Sequence, residues 1–276
     1  PALGTRGRLS LPLFVENDTR CVLMKCGGVR LRFLDFDLQE GNLISAANEL
    51  IQRTQSGLRS HVLTLNALIA YEYIHNLEYK NALATVNYVV PDGSGVLKAI
   101  KLISKRRVER VPGIDLMLKI CELSSETGLR VFFLGSKEGI VTKTVEKLKQ
   151  RFPLIDIAGY HSGFFAREES DTIVSEINSS SADIVFVGMG VPKQDIWIAE
   201  NIDKLHASVL MGVGGSFDVI SGDLKRAPLW MQKAGLEWLY RIVQEPRKRL
   251  KIIPKLVSFE TYVVGSYFKS RRGGSR

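Results

Sequence analysis

Cysteine is scarce: Cys21, Cys26 and Cys121 are the whole complement of a 276-residue chain. An odd number without ligand spacing speaks against a disulfide framework or a Cys-based zinc site, and fits idle or buried thiols in a reducing compartment. The four histidines, His61, His75, His161 and His206, are scattered, with no paired spacing that would suggest a metal site or a catalytic triad. Long apolar runs are also missing. No uninterrupted stretch reaches the roughly 18 residues a spanning helix needs, and the opening PALGTRGRLSLPLF lacks the sustained apolar segment of a signal peptide. Glycine-rich turns exist, but none has dinucleotide-fingerprint spacing or a P-loop lysine, so neither NAD chemistry nor ATP hydrolysis is supported.

Positive charge is plentiful but confined to one end. The chain carries 38 Lys and Arg against 29 Asp and Glu. Residues 225–276 hold 13 of those cations and only three acids (Glu237, Glu245 and Glu260), which leaves the preceding residues with 25 basic and 26 acidic groups. A near-neutral body argues against a protein built throughout for nucleic acid, and the basic tail calls for an anionic partner.

Between these limits the sequence alternates. Apolar, β-branched runs at 61–65, 86–90, 130–134, 183–187 and 207–213 suit buried strands, and helix-length segments of period near 3.6 follow the first four, at 67–84, 94–105, 138–151 and 193–204. Short apolar runs around Gly27-Gly28, from Cys21 to Leu34, suggest a hairpin. The pattern predicts an α/β fold with a mainly parallel, Rossmann-like sheet and helices on both faces. Ligands in such folds bind at the carboxyl ends of the strands, and here those ends are polar or rich in glycine.

Thr64-Leu65-Asn66 closes the first run, where it serves either as a helix cap or as part of a site. Pro91-Asp92-Gly93 places a carboxylate at a strand end, suited to a general base or to a simple turn. In RVPGID, Arg110 offers a planar fork for phosphate, and Asp115 favours the start of a helix after Gly113. Gly135-Ser136 is a candidate anion nest. Gly188 and Gly190, with Pro192, deliver Lys193 and Gln194 to a helix start suited to phosphate or sugar hydroxyls. Gly212, Gly214, Gly215 and Asp218 form another strand-end loop. Asp35-Phe36-Asp37 has the shape of a DxD metal site, but the amphipathic segment that follows it favours a capping role.

Taken together, TLN (64–66), VVPDGSGV (89–96), RVPGIDL (110–116), FFLGSKEG (132–139), GYHSGFF (159–165), VGMGVPKQDIWI (187–198) and GVGGSFDVISGDLKRAPLWMQKAGLEWLYRIVQEPRKR (212–249) resemble the WecG/TagA/CpsF glycosyltransferases over roughly residues 28–253. The resemblance implies inverting, metal- and cofactor-independent transfer from a UDP-sugar to a sugar carried on polyprenyl diphosphate, in cell-envelope or exopolysaccharide synthesis. It assigns the base to Asp92, with Thr64, Asn66, Arg110 and Gln194 beside it, and matches Arg241 to the arginine of the WLYR motif. Gly135, Ser136, Gly188, Gly190, Lys193, Gly214, Gly215 and Asp218 are the accompanying substrate-binding candidates. The donor sugar stays open among N-acetylmannosamine, its uronic acid, glucose and glucuronic acid.

The expected organisation is an irregular leader over 1–20, a catalytic unit over 21–235 and a basic appendage over 236–276. In LEWLYRIVQEPRKRLKII, aromatic and aliphatic residues mix with Arg247, Lys248, Arg249 and Lys251, a composition that suits the anionic inner surface of the cell membrane. A solvated terminal helix or a contact within a homo-oligomer is the alternative for this segment. The rival reading for the whole chain is a non-catalytic nucleic-acid or nucleotide-binding module that uses the tail. It accounts for the charge but not for the polar strand ends.

Overall fold

Every strand run named above becomes a strand in the computed structural model, which describes residues 31–273. The leader over 1–20, Cys21, Cys26 and the first part of the expected hairpin lie outside the described residues, as does the side chain of Lys248. The strands are β1 (Leu31–Phe33), β2 (Phe36–Leu38), β3 (Ser60–Leu65), β4 (Tyr88–Pro91), β5 (Arg130–Gly135), β6 (Asp156–His161), β7 (Ile184–Gly188) and β8 (Val209–Gly212). They form one sheet in the order β1-β2-β4-β3-β8-β7-β5-β6. Only β1 and β2 run antiparallel; all the other pairs are parallel, so the fold is the expected α/β class.

Burial on both faces explains the uninterrupted apolar runs. Val131 and Phe133 of β5 face one core with Ile184 and Phe186 of β7 and the helices Leu43–Gln55, Gly113–Thr127 and Glu138–Arg151. Phe132 and Leu134 face the other, with Val185, Val187 and the helices Ser170–Ser179 and Lys193–Asn201. No apolar run announces β6, because DIAGYH is an edge strand buried only in part.

Two local expectations are corrected. The helix expected over 67–84 breaks at Asn76, whose N–H closes Ala67–His75 on the Glu72 carbonyl (2.8 Å) while its side chain accepts from Tyr79 N (3.1 Å) and starts Leu77–Ala82. Among the described residues Asp35 and Asp37 cap no helix. They sit on the β1–β2 hairpin, where Asp35 accepts from the Tyr73 hydroxyl, and the helix Leu43–Gln55 is capped by Asn42 (Ser45 N to Asn42 Oδ1, 2.9 Å). Asn42 wins because it stands immediately before the helix, within reach of the free N–H groups of the first turn.

After β8 the chain forms the short helices Leu229–Lys233, Glu237–Gln244 and Pro246–Arg249, then a long helix, Ile253–Gly273. That last helix packs onto the body. Phe259 and Val263 are buried with Leu63, Leu65, Ile69 and Val96, and Lys255 pairs with Glu72 at 2.5 Å. Burying a side chain such as Phe259 is worth about 1.5–3 kcal/mol. Among the described residues no helix is long and apolar enough to cross a membrane.

Candidate active site

The carboxyl ends of β3, β4, β7 and β8 lie side by side at the middle of the sheet, and Asp92 follows β4 directly. Its backbone continues the parallel ladder (Asp92 N to Leu65 O, 2.8 Å). Gly93 then turns at φ +75°, and a Cβ there would stand 3.2 Å from Asn66 Cβ, so the turn favours glycine on two counts. Asp92 Oδ1 accepts from Gly93 N (2.6 Å) and Arg110 Nε (3.0 Å). Among the described residues Oδ2 meets only the Gly113 N–H, at 3.4 Å. One oxygen is fixed and the other is left available for a proton. Gly113 itself packs against Thr64, whose Oγ1 would be 3.0 Å from an added Cβ.

Beyond Arg110 the charges alternate. Glu237, at the start of helix Glu237–Gln244, accepts from Arg110 Nη2 and approaches Arg226 Nε at 3.9 Å. Arg226 also grips Asp115 through two bonds of 2.6 Å. Burial works against the Arg110 charge, but the carboxylates of Asp92 and Glu237 outweigh it and hold its pKa above the ordinary value. A second link between body and tail is Ser94 Oγ to Gly235 O, 2.9 Å.

Across from this chain of charges, Gly214 and Gly215 lead out of β8. A Cβ at Gly215 would lie 3.8 Å from both Arg241 Nη1 and Arg249 Nη2. Arg241 has no hydrogen bond or ion pair among the described residues. Burial and the neighbouring Arg249 lower its pKa, while Glu237 and Asp92 act in the opposite sense, so the candidate base and these cations share one electrostatic environment. Two guanidinium groups held together over a bare backbone loop suit a multiply charged anion such as a diphosphate. No group of three or more His, Cys, Asp or Glu that could hold a metal exists among the described residues.

Residues 31–273 match the glycosyl transferase WecG/TagA/CpsF family. The chain belongs to this family. It is 36% identical over 199 residues to the N-acetylglucosaminyldiphosphoundecaprenol N-acetyl-beta-D-mannosaminyltransferase of Bacillus spizizenii, covering 71% of this chain and 77% of the relative. Enzymes of the same name from Bacillus subtilis (34% identity, 70% and 76% covered) and Staphylococcus aureus strain MW2 (35%, 72% and 79%) are similarly related. The protein is therefore a glycosyltransferase.

Within this candidate site the expected residues take different parts. Asp92 and Arg110 form a direct pair, and Thr64 stands behind them at 8% exposure. Asn66 caps the helix Ala67–His75, accepting from Leu68 N (3.0 Å) and Ile69 N (3.1 Å). Gln194 is 3% exposed, and its Oε1 accepts from Gly214 N at 2.8 Å. Ser136 N donates to Gly188 O (3.0 Å), so that N–H joins β5 to β7 and is not free for an anion. Gly188 lies under the β8 loop, where an added Cβ would be 3.2 Å from Gly214 O. Gly190 turns at φ +79° before Pro192, and Lys193 is exposed at the head of its helix. Asp218 lies near Gly215, its Oδ2 3.6 Å from the added Cβ.

In the tail, Arg247 and Lys251 are exposed, whereas Arg249 turns inward to the glycine loop and pairs with Glu245 at 2.9 Å. Its expected part as a membrane contact is thus corrected in direction: the salt bridge to Glu245 one helical turn away holds it, and its guanidinium stands beside Asp218 over Gly215. Sequence reasoning passed over Glu237, Arg226 and Asp195. The first two lie outside the strand-end glycine loops, and their only signal is the concentration of charge in RAP and GLEWLYR. Asp195 stands beside Gln194 but is buried completely.

Proposed function

We propose that this glycosyltransferase moves a hexose-type sugar from a UDP-sugar to a sugar carried on polyprenyl diphosphate, with inversion, in the synthesis of a cell-envelope polymer or exopolysaccharide. The observation that carries the reading is Asp92, with one oxygen fixed by Gly93 and Arg110, acting electrostatically on Arg241, which with Arg249 stands over the Gly214–Gly215 loop. Asp92 Oδ2 takes the proton of the acceptor hydroxyl as that oxygen attacks the anomeric carbon. The bond to UDP breaks on the opposite face, and the charge gathered on the leaving diphosphate falls to the two tail arginines. A single base suffices, because inversion requires no covalent intermediate. Thr64 and Asn66 shape the wall of the pocket, and Lys193, with the Gly135-Ser136 and Gly188–Gly190 turns, borders it. No metal is needed where fixed guanidinium groups supply the counter-charge, and no other cofactor is required.

The relatives are named for N-acetylmannosaminyl transfer to N-acetylglucosaminyl diphosphoundecaprenol, which makes UDP-N-acetylmannosamine the first donor to try. A lipid-linked acceptor requires the enzyme to work at the bilayer. Exposed Leu229, Trp230, Trp238, Leu239, Val243 and Leu250 share one segment with exposed Arg247 and Lys251, a composition suited to peripheral docking on the anionic inner face of the cell membrane. In this reading the docking surface runs over 229–251, from the end of the catalytic unit into the appendage expected over 236–276, and the helix Ile253–Gly273 fastens it to the body. Nucleic acid has no place in the scheme. The deciding experiment incubates the protein with a panel of UDP-sugars and a short-chain N-acetylglucosaminyl diphosphate lipid. A disaccharide-lipid product of inverted anomeric configuration supports the reading, and absence of product with every donor removes it.

A further inference from the structure

We infer that Tyr79, Asp195 and Gln194 form a buried positioning relay that shapes the Gly212–Gly215 loop for the donor diphosphate, with Gln194 acting on the loop and not on the substrate. The inference rests on the proposed seating of the diphosphate against that loop. All three side chains are nearly or fully inaccessible: Tyr79 and Asp195 at 0%, Gln194 at 3%. Their hydrogen bonds run in one consistent direction. Tyr79 Oη donates to Asp195 Oδ2 at 2.6 Å, and Gln194 Nε2 donates to Asp195 Oδ1 at 3.4 Å. Gln194 Oε1 then accepts from Gly214 N at 2.8 Å.

Each partner fixes the next. An ionised carboxylate only accepts, so Asp195 must face the amide NH2 of Gln194 and thereby turns the carbonyl end toward the loop. Only that orientation meets the Gly214 N–H; a flipped amide would set donor against donor in a dry site, where an unsatisfied group costs most. Gly214 sits at φ +51°, and the next residue, Gly215, faces Arg241 and Arg249. The fit also explains the bare backbone of Gly212, where an added Cβ would lie 2.6 Å from Asp195 Oδ1. Tyr79 belongs to the short helix Leu77–Ala82, so the relay ties the loop after β8 to an element far away in sequence.

The test exchanges the amide and the carboxylate and follows UDP binding to the full chain by titration calorimetry. Gln194→Glu alone sets two carboxylates side by side in a buried site, and UDP affinity should fall about tenfold or more. Gln194→Glu with Asp195→Asn restores every donor–acceptor pair in reversed order: the new carboxylate takes the Gly214 N–H and the new amide NH2, and the amide carbonyl takes the Tyr79 hydroxyl. Affinity should return to within about threefold of wild type. If Gln194 instead offers its NH2 to the substrate, the double variant stays as weak as the single one, and the relay is overturned. Should Gln194→Glu not fold, a folded double variant with near-wild-type affinity supports the relay, and a folded but weakly binding one refutes it. Tyr79→Phe provides a kinetic readout: donor KM should rise several-fold with acceptor KM unchanged, and equal rises in both would also refute it. Failure of the wild-type protein to bind UDP would instead strike the proposed seating of the diphosphate.

Discussion

Asp92 and Asp195 both lie close to the carboxyl edge of the same sheet, yet their surroundings give them opposite parts. Asp92 stands at the rim, its side chain 19% exposed, with a guanidinium and a backbone N–H on one oxygen and little on the other. Asp195 is wholly enclosed, and burial pushes its pKa up to about 6, although hydrogen bonds from Tyr79 and Gln194 act to lower it. A carboxylate at the rim can meet an acceptor hydroxyl; one in the interior can only organise its neighbours. Residue type does not decide between these roles. Access and the number of engaged oxygens do.

The largest effect should come from the rim. Asp92→Asn keeps the shape and loses the base, so turnover should drop by about 10²–10⁴-fold while the melting temperature and UDP affinity hold. Near-normal turnover would erase the distinction between the two aspartates. Arg241→Ala comes next, at about 10²–10³-fold in turnover on a water-soluble acceptor analogue, by loss of charge stabilisation at the leaving group. Its binding to anionic vesicles should change little. Arg247→Ala and Lys251→Ala should behave in the reverse manner, weakening vesicle binding as high salt does. Equal effects of all three substitutions on vesicle binding would mean that Arg241 is no more than another membrane contact.

A smaller effect sharpens the interior half of the comparison. The pKa of Asp195 is raised on folding, so the folded protein holds this proton more tightly than the unfolded chain does. The resulting stabilisation is fully present below about pH 4 and is lost as the pH rises through about 6, at up to about 1.4 kcal/mol per pH unit. Asp195→Asn should lack that dependence. Its melting temperature relative to wild type should therefore be higher at pH 7 than at pH 4, and a constant difference across that range would contradict the assignment. Smallest of all should be the response of activity at the hairpin. Asp35→Ala should cost about 1 kcal/mol of stability through its lost bond to Tyr73. Turnover should be unchanged, and wild-type turnover should survive excess EDTA. Loss of activity with EDTA, restored by Mg²⁺ or Mn²⁺, would reopen the metal question.

Much of the fold was legible because parallel strands buried on both faces need continuous apolar runs, and the chain writes those runs plainly at β3, β5, β7 and β8. The α/β class, five of the strands, the concentration of charge after residue 224 and the candidacy of Asp92 all follow from local pattern and motif. Three things waited for the tertiary structure. The edge strand β6 has no apolar signature, since none of its residues is fully buried. Arg249 and Glu237 read as tail charges until packing turned them to the glycine loop and to Arg110. The far end of the tail reads as an appendage, whereas Phe259 is a core residue, so deleting everything from Leu236 would open the body as well as remove most of the proposed docking surface. Local propensity and periodicity are properties of neighbours in sequence. Which carboxylate is buried, which charges meet across the site and which distant helix closes the core depend on contacts between residues a hundred or more positions apart.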